Sequence, residues 1–285
     1  MVIFAFGLET ANSQKKMNEK ELPPHMREDN LSEETKTLIS SLPWNKDFIG
    51  NLYKYKGCWY YPNTLQGVLN FEKGFKPQET DIILASFPKS GTTWLKALTI
   101  ALFGRLKNSS SSSDDDLHPL QSDNPHGIVL FFEFNLYLKS STPDLTKFSS
   151  PRVFSTHMPF HTLRLPLKDS PCKIVYVCRN VKDVLEHVLS YWRGSLEDPQ
   201  HVLFMRYEEM KSAPSAQVKR LAEFLGCPFT EEEAEHGSVD KIVELCSLRN
   251  LSGAVGDFKN HLTPEMENKI DMIIEEKYKG SGLKF

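Results

Sequence analysis

No run in this chain approaches the ~18 to 20 consecutive apolar residues that a membrane-spanning helix needs, which excludes an integral helical membrane protein. An excess of positive charge is also missing. The 34 lysines and arginines stand against 37 aspartates and glutamates, a net charge of −3, and this excludes the polybasic footprint of nucleic-acid or anionic-membrane binders. Cysteine is sparse: Cys58, Cys172, Cys178, Cys227 and Cys246 are scattered, odd in number and without paired metal-ligand spacing. That pattern excludes a disulfide framework and a cysteine-built metal site, and it implies a reducing compartment. The first eight residues, Met1 to Leu8, are apolar but short, with no basic segment before them and no convincing cleavage site after them. The expectation is a cytoplasmic protein without a metal.

What is present is concentrated between Asp81 and Leu102. Asp81 to Ser86 reads as a buried strand, Pro88-Lys89-Ser90-Gly91-Thr92-Thr93 as a tight polar turn, and an apolar helix opens at Thr92 to Trp94. A strand feeding such a turn into a helix start aims unpaired backbone N–H groups and the positive end of the helix dipole at one point. Lys89 with the hydroxyls of Ser90, Thr92 and Thr93 makes phosphate or sulfate the expected ligand. A Walker A loop places its lysine after the second glycine and opens with a glycine. Here Lys89 precedes Gly91 and the loop opens Ala85-Ser86-Phe87-Pro88, so a nucleotide triphosphatase or kinase fits poorly.

The rest of the chain reads as alternating helices and strands. Residues 1–30, polar after the first eight and containing Pro23-Pro24, suit a flexible leader, and 31–285 suit a single domain. Residues 31–42 form a first helix, residues 47–61 an aromatic-rich hairpin, and Pro62 opens a segment to about Phe71. Further strands are expected at 152–156, 173–178 and 201–207, the last two near-continuously apolar as in a parallel sheet covered on both faces. Helices are expected at 181–192, 213–225, 239–246 and 264–278. The serine-rich run 108–116 reads as a solvated loop. This is an α/β pattern, a mostly parallel central sheet flanked by helices, whose sites lie at the carboxyl ends of the strands.

Three other strand ends each offer a residue. His157, just beyond 152–156, is either a proton acceptor for a bound hydroxyl or a histidine bonded to backbone. Arg179, after 173–178, suits a second phosphate or a surface ion pair. Tyr207 either packs on a base or belongs to the core.

Taken together, Phe87 to Trp94, Ser155 to Pro159, Val175 to Asp183 and Gly256 to Asn260 resemble the cytosolic sulfotransferases, specifically those of plants, over about residues 31–285. The resemblance implies a P-loop-like sulfotransferase fold and transfer of a sulfonyl group from 3′-phosphoadenylyl sulfate to a hydroxyl of a small-molecule acceptor. It implies that Lys89, Ser90, Gly91, Thr92, Thr93 and Trp94 wrap the donor's 5′-phosphosulfate, with Lys89 stabilising the leaving oxygen and Trp94 packing on adenine. His157 takes the place of the base, Arg179 holds the 3′-phosphate and Tyr207 faces adenine. No metal is required.

The chain departs from that pattern in two places. Only 27 residues separate Arg179 from Tyr207, where family members carry several tens more, and His187 stands where they have a serine on the 3′-phosphate. Leu251-Ser252-Gly253 replaces Arg-Lys-Gly on the same phosphate, and Leu248 replaces a phenylalanine against adenine. Hydrogen bonds to charged groups contribute about 1.5 to 3 kcal/mol each, so these losses amount to roughly a thousandfold in donor affinity. The alternative is therefore a degenerate sulfotransferase-like binding protein with little turnover.

Overall fold

The computed structural model describes residues 22–47, 50–108, 118–168, 170–179 and 185–247. In chain order these form α1 (Glu33–Ser41), β1 (Trp44–Lys46), β2 (Asn51–Tyr55), β3 (Cys58–Tyr60), α2 (Pro62–Gly74), β4 (Ile82–Ser86) and α3 (Thr92–Asn108). They continue with α4 (Pro119–Ser122), α5 (Pro125–Ile128), β5 (Val153–Thr156), α6 (Phe160–Arg164), β6 (Lys173–Cys178) and α7 (Leu185–Glu197). The last are β7 (Val202–Arg206), α8 (Tyr207–Ser212), α9 (Pro214–Leu225), α10 (Glu231–Glu235) and α11 (Ser238–Leu245). The central sheet has the strand order β5–β4–β6–β7, and β6 and β7 pair in parallel. Helices flank it, which is the α/β arrangement expected. The expected helix 264–278, the Gly256 to Asn260 motif, Leu248, Leu251 to Gly253 and most of the serine run lie outside the described residues.

Two compact units divide the backbone: Met1–Ile83 with Leu130–Cys172, and Leu84–Val129 with Lys173–Phe285. In the first, the expected hairpin is present as β2–β3 and gains β1 as a third antiparallel strand. Ser32 caps α1, its side chain accepting from the Thr35 N–H at 3.2 Å, and Pro62 occupies the first position of α2. Residues 22–30, inside the segment read as a flexible leader, are packed instead. Leu22 and Met26 are buried with Leu52 and Tyr61. Asn63 Nδ2 and Thr64 Oγ1 donate to the Pro24 and His25 carbonyls at 2.7 and 2.8 Å, so the first turn of α2 fixes the segment. Asp81 is buried in a bidentate ion pair with Arg152, at 2.7 and 2.6 Å, beside the Ile82 N–H to Arg152 carbonyl bond.

In the second unit, β6 and β7 are buried at every position except Lys173 and Arg206, which explains their unbroken apolar runs. Their register sets Cys178 beside Arg206. The next residues, Arg179 and Tyr207, therefore leave the sheet side by side. α9 ends on Gly226 in the left-handed conformation, φ 80°.

Candidate functional site

The turn after β4 is built on two left-handed residues. Lys89 has φ 67° and Gly91 φ 105°; the first is a strained choice for a side-chain-bearing residue, of the kind that concentrates at binding sites. The Ser90 N–H donates to the Phe87 carbonyl at 3.1 Å, and the Gly91 carbonyl accepts the first bond of α3 from the Leu95 N–H at 3.0 Å. Gly91 is thus the N-cap, and the amides of Thr92, Thr93 and Trp94 have no carbonyl partner within the helix. Ser86 and Thr92 share a buried hydroxyl–hydroxyl hydrogen bond of 2.6 Å that ties strand end to helix start. Lys89 itself is exposed.

Tyr207, the first residue of α8, gathers the other predicted groups of this unit. Its ring meets Trp94 edge-on at 5.6 Å and 74°, and the Arg179 guanidinium lies over it at 4.7 Å, a cation–π contact. A β-carbon on Gly91 would come within 2.9 Å of Tyr207 Cδ2. Lys89 to Trp94, Arg179 and Tyr207 are thereby brought into one neighbourhood. Of the two readings of Arg179, the surface ion pair is not what the described residues hold: its contact there is an aromatic ring. The buried Trp94 Nε1 has no hydrogen-bond partner among the described residues.

A second layer of this unit escaped the sequence reading. Thr93 Oγ1 lies 2.9 Å from His126 Nε2, and His126 Nδ1 lies 3.1 Å from Nζ of the fully buried Lys96. Burial, then Lys96 and Lys89, lowers the His126 imidazole to about 4. His126 sits in α5, opened by the Asn124 cap and Pro125; that Asn-Pro pair, and a lone lysine in the apolar Thr92 to Phe103 stretch, were the available signals. His187, the expected serine position, is buried, shares a 3.0 Å hydrogen bond with the Tyr176 hydroxyl and packs edge-on against Phe87 at 5.6 Å. It supports the start of the turn from within the core.

His157 belongs to the first unit. It follows β5, and its backbone N–H donates to Glu133 Oε1 at 2.7 Å while Thr156 Oγ1 donates to Glu133 Oε2 at 3.0 Å. Glu133 is buried on a single π-turn, Phe132–Leu136, a widened turn frequent at functional sites. The imidazole of His157 lies 4.7 Å from the Phe131 ring and 5.7 Å from Phe134, and the His25 ring meets Phe134 at a tilt of 36°, 4.8 Å away. Glu133 was missed, although a lone carboxylate inside Phe131-Phe132-Glu133-Phe134 was a visible anomaly. Among the described residues no group of three or more His, Cys, Asp or Glu side chains is placed to hold a metal ion. No described helix is long and apolar enough to cross a membrane.

Comparison with known proteins places the chain among sulfotransferases. The sulfotransferase domain family matches residues 79–185 and 184–254. Cytosolic sulfotransferase 1 of Arabidopsis thaliana is 58% identical over 328 aligned positions, covering 93% of this chain and 98% of that protein. Cytosolic sulfotransferase 5 of the same plant is 56% identical over 323, covering 92% and 99%. A solved Arabidopsis thaliana structure with a provisional steroid sulphotransferase designation is 39% identical with a TM-score of 0.74, covering 90% of this chain and 98% of that one. An alignment longer than a chain of 285 residues places gaps within it. The family match breaks at 184–185, inside the short interval between Arg179 and Tyr207.

Proposed function

This chain belongs to the sulfotransferase family, and from that premise we propose that it transfers the sulfonyl group of 3′-phosphoadenylyl sulfate to a hydroxyl of a small-molecule acceptor in the cytosol. The acceptor oxygen attacks sulfur, the new S–O bond forms as the bridging S–O bond breaks, and the leaving group is adenosine 3′,5′-bisphosphate. His157 takes the acceptor's proton, and Lys89 with the amides of the α3 start stabilises charge growing on the bridging oxygen. That charge is larger in the transition state than in the ground state, so a preorganised cation and helix terminus lower the barrier. Ser90, Thr92 and Thr93 hold the phosphosulfate, Trp94 and Tyr207 take the adenine, and Arg179 takes the 3′-phosphate.

The observation that carries the reading is the left-handed Lys89–Gly91 turn opening onto α3, in a chain whose relatives bear the sulfotransferase name. Purified protein with donor and a panel of phenols, flavonoids, steroids and desulfo-glucosinolates should give a sulfated product. His157→Ala should lower turnover by about a hundredfold or more, the size of a general-base contribution. Donor binding without turnover on any acceptor would instead identify a binding protein.

A further inference from the structure

The proposed chemistry uses Lys89 and leaves a second cation, Lys96, without a role. Lys96 lies in α3 with no exposed surface; its Nζ donates to the Val129 carbonyl at 2.8 Å and lies 3.1 Å from His126 Nδ1. A buried lysine is costly unless it is paired for a purpose. An ammonium has only hydrogens to offer, so His126 Nδ1 must present its lone pair, and a neutral ring then carries its single hydrogen on Nε2. That nitrogen is 2.9 Å from Thr93 Oγ1. The ring donates and the hydroxyl accepts, which leaves the Thr93 hydrogen to be given elsewhere. Thr93 is half-buried at the start of α3, in the turn assigned to the donor, and among the described residues no carbonyl receives its hydrogen.

We propose that Lys96 and His126 are positioning residues whose ordered hydrogen bonds commit Thr93 to donating its hydroxyl hydrogen to the phosphosulfate of 3′-phosphoadenylyl sulfate. The inference rests on the sulfotransferase reading. A ring held neutral by burial, as His126 is, is what the relay requires: a protonated one would have no lone pair for Lys96 and would set two cations against each other. The plainer alternative is that the cluster only ties α3 to α5, and the two make different predictions.

Calorimetric titration of the full chain with 3′-phosphoadenylyl sulfate provides the readout, since donor affinity does not depend on which acceptor is used. His126→Ala should weaken the donor about tenfold, the size of one hydrogen bond to a charged group. His126→Gln, whose amide can donate from close to the Nε2 position, should recover most of that loss. In a Thr93→Val background His126→Ala should cost nothing further. Equal losses in both backgrounds, or a glutamine variant no better than alanine at equal thermal midpoint, would overturn the relay and leave the sulfotransferase reading standing. Absence of donor binding by the unsubstituted protein would overturn both. Independently of any variant, nitrogen NMR of the His126 ring should show the hydrogen on Nε2; a hydrogen on Nδ1 would sink the relay.

Discussion

Burial sets the protonation of individual side chains here, and the consequence is measurable without a substrate. His25 and His126 are each pulled from 6.5 to about 4, chiefly by desolvation. A group whose folded value is depressed binds fewer protons in the native state than in the unfolded chain across the window between the two values. Stability is therefore full above pH 6.5 and is lost as pH falls toward 4. Each histidine contributes about 3 kcal/mol to that loss, at about 1.4 kcal/mol per pH unit. His25→Gln is uncharged throughout, so it should flatten the pH dependence of the urea-derived unfolding free energy by about one proton between pH 4.5 and 6. An unchanged slope would mean that His25 is protonated in the folded protein. The same physics acts on the thiols: burial pushes Cys178 and Cys246 up to about 12, and none of the five cysteines, all of them described, forms a disulfide.

At the scale of elements, the contact between α2 and the π-turn decides how His157 is held. Gly67 on α2 lies so close to the Glu133 carbonyl that a β-carbon there would overlap it, and Glu133 in turn anchors the His157 backbone. Gly67→Ala should force the helix and the turn apart at a cost of about 1 to 3 kcal/mol, the range for overpacking. Turnover should fall with it, while donor affinity, which the proposed function assigns to the turn after β4, should stay constant. Urea midpoints and donor titrations on the same variant check both halves. The π-turn was also the least legible part of the sequence, because one extra residue in a helical turn leaves no periodicity to detect. By contrast β4, the Lys89 turn and α3 were readable, since an unbroken apolar run, a glycine and a hydroxyl-rich helix start each state a local preference. The apolar run 201–207 predicts a strand ending at Tyr207, which is instead the first residue of α8, a one-residue difference that still leaves its ring beneath Arg179. Residues 22–30 were illegible for another reason: Leu22 and Met26 are too few to mark a packed segment, and what fixes them are side chains about 40 positions later, at Asn63 and Thr64.

For the molecule as a whole, the question is how a shortened family member distinguishes its nucleotide. The family match breaks at 184–185, and the residue in the expected serine position, His187, is buried and bonded to Tyr176, so it does not replace a surface hydroxyl. Arg179 remains. It is exposed, the β6–β7 register delivers it next to Tyr207, and the ring beneath it restricts its rotamers. One charge-assisted contact contributes about 1.5 to 3 kcal/mol, which is roughly ten- to a hundredfold in affinity. Adenosine 3′,5′-bisphosphate should therefore bind more tightly than adenosine 5′-phosphate by about that factor, and Arg179→Ala should bring the two to near equality while changing the 5′-phosphate compound little. Calorimetric titration of both nucleotides into both proteins is the measurement. A preference well above a thousandfold, or one that survives Arg179→Ala, would show that further cations read the 3′ group. The shortened interval would then have been compensated elsewhere in the chain, and Arg179 would be one contributor among several.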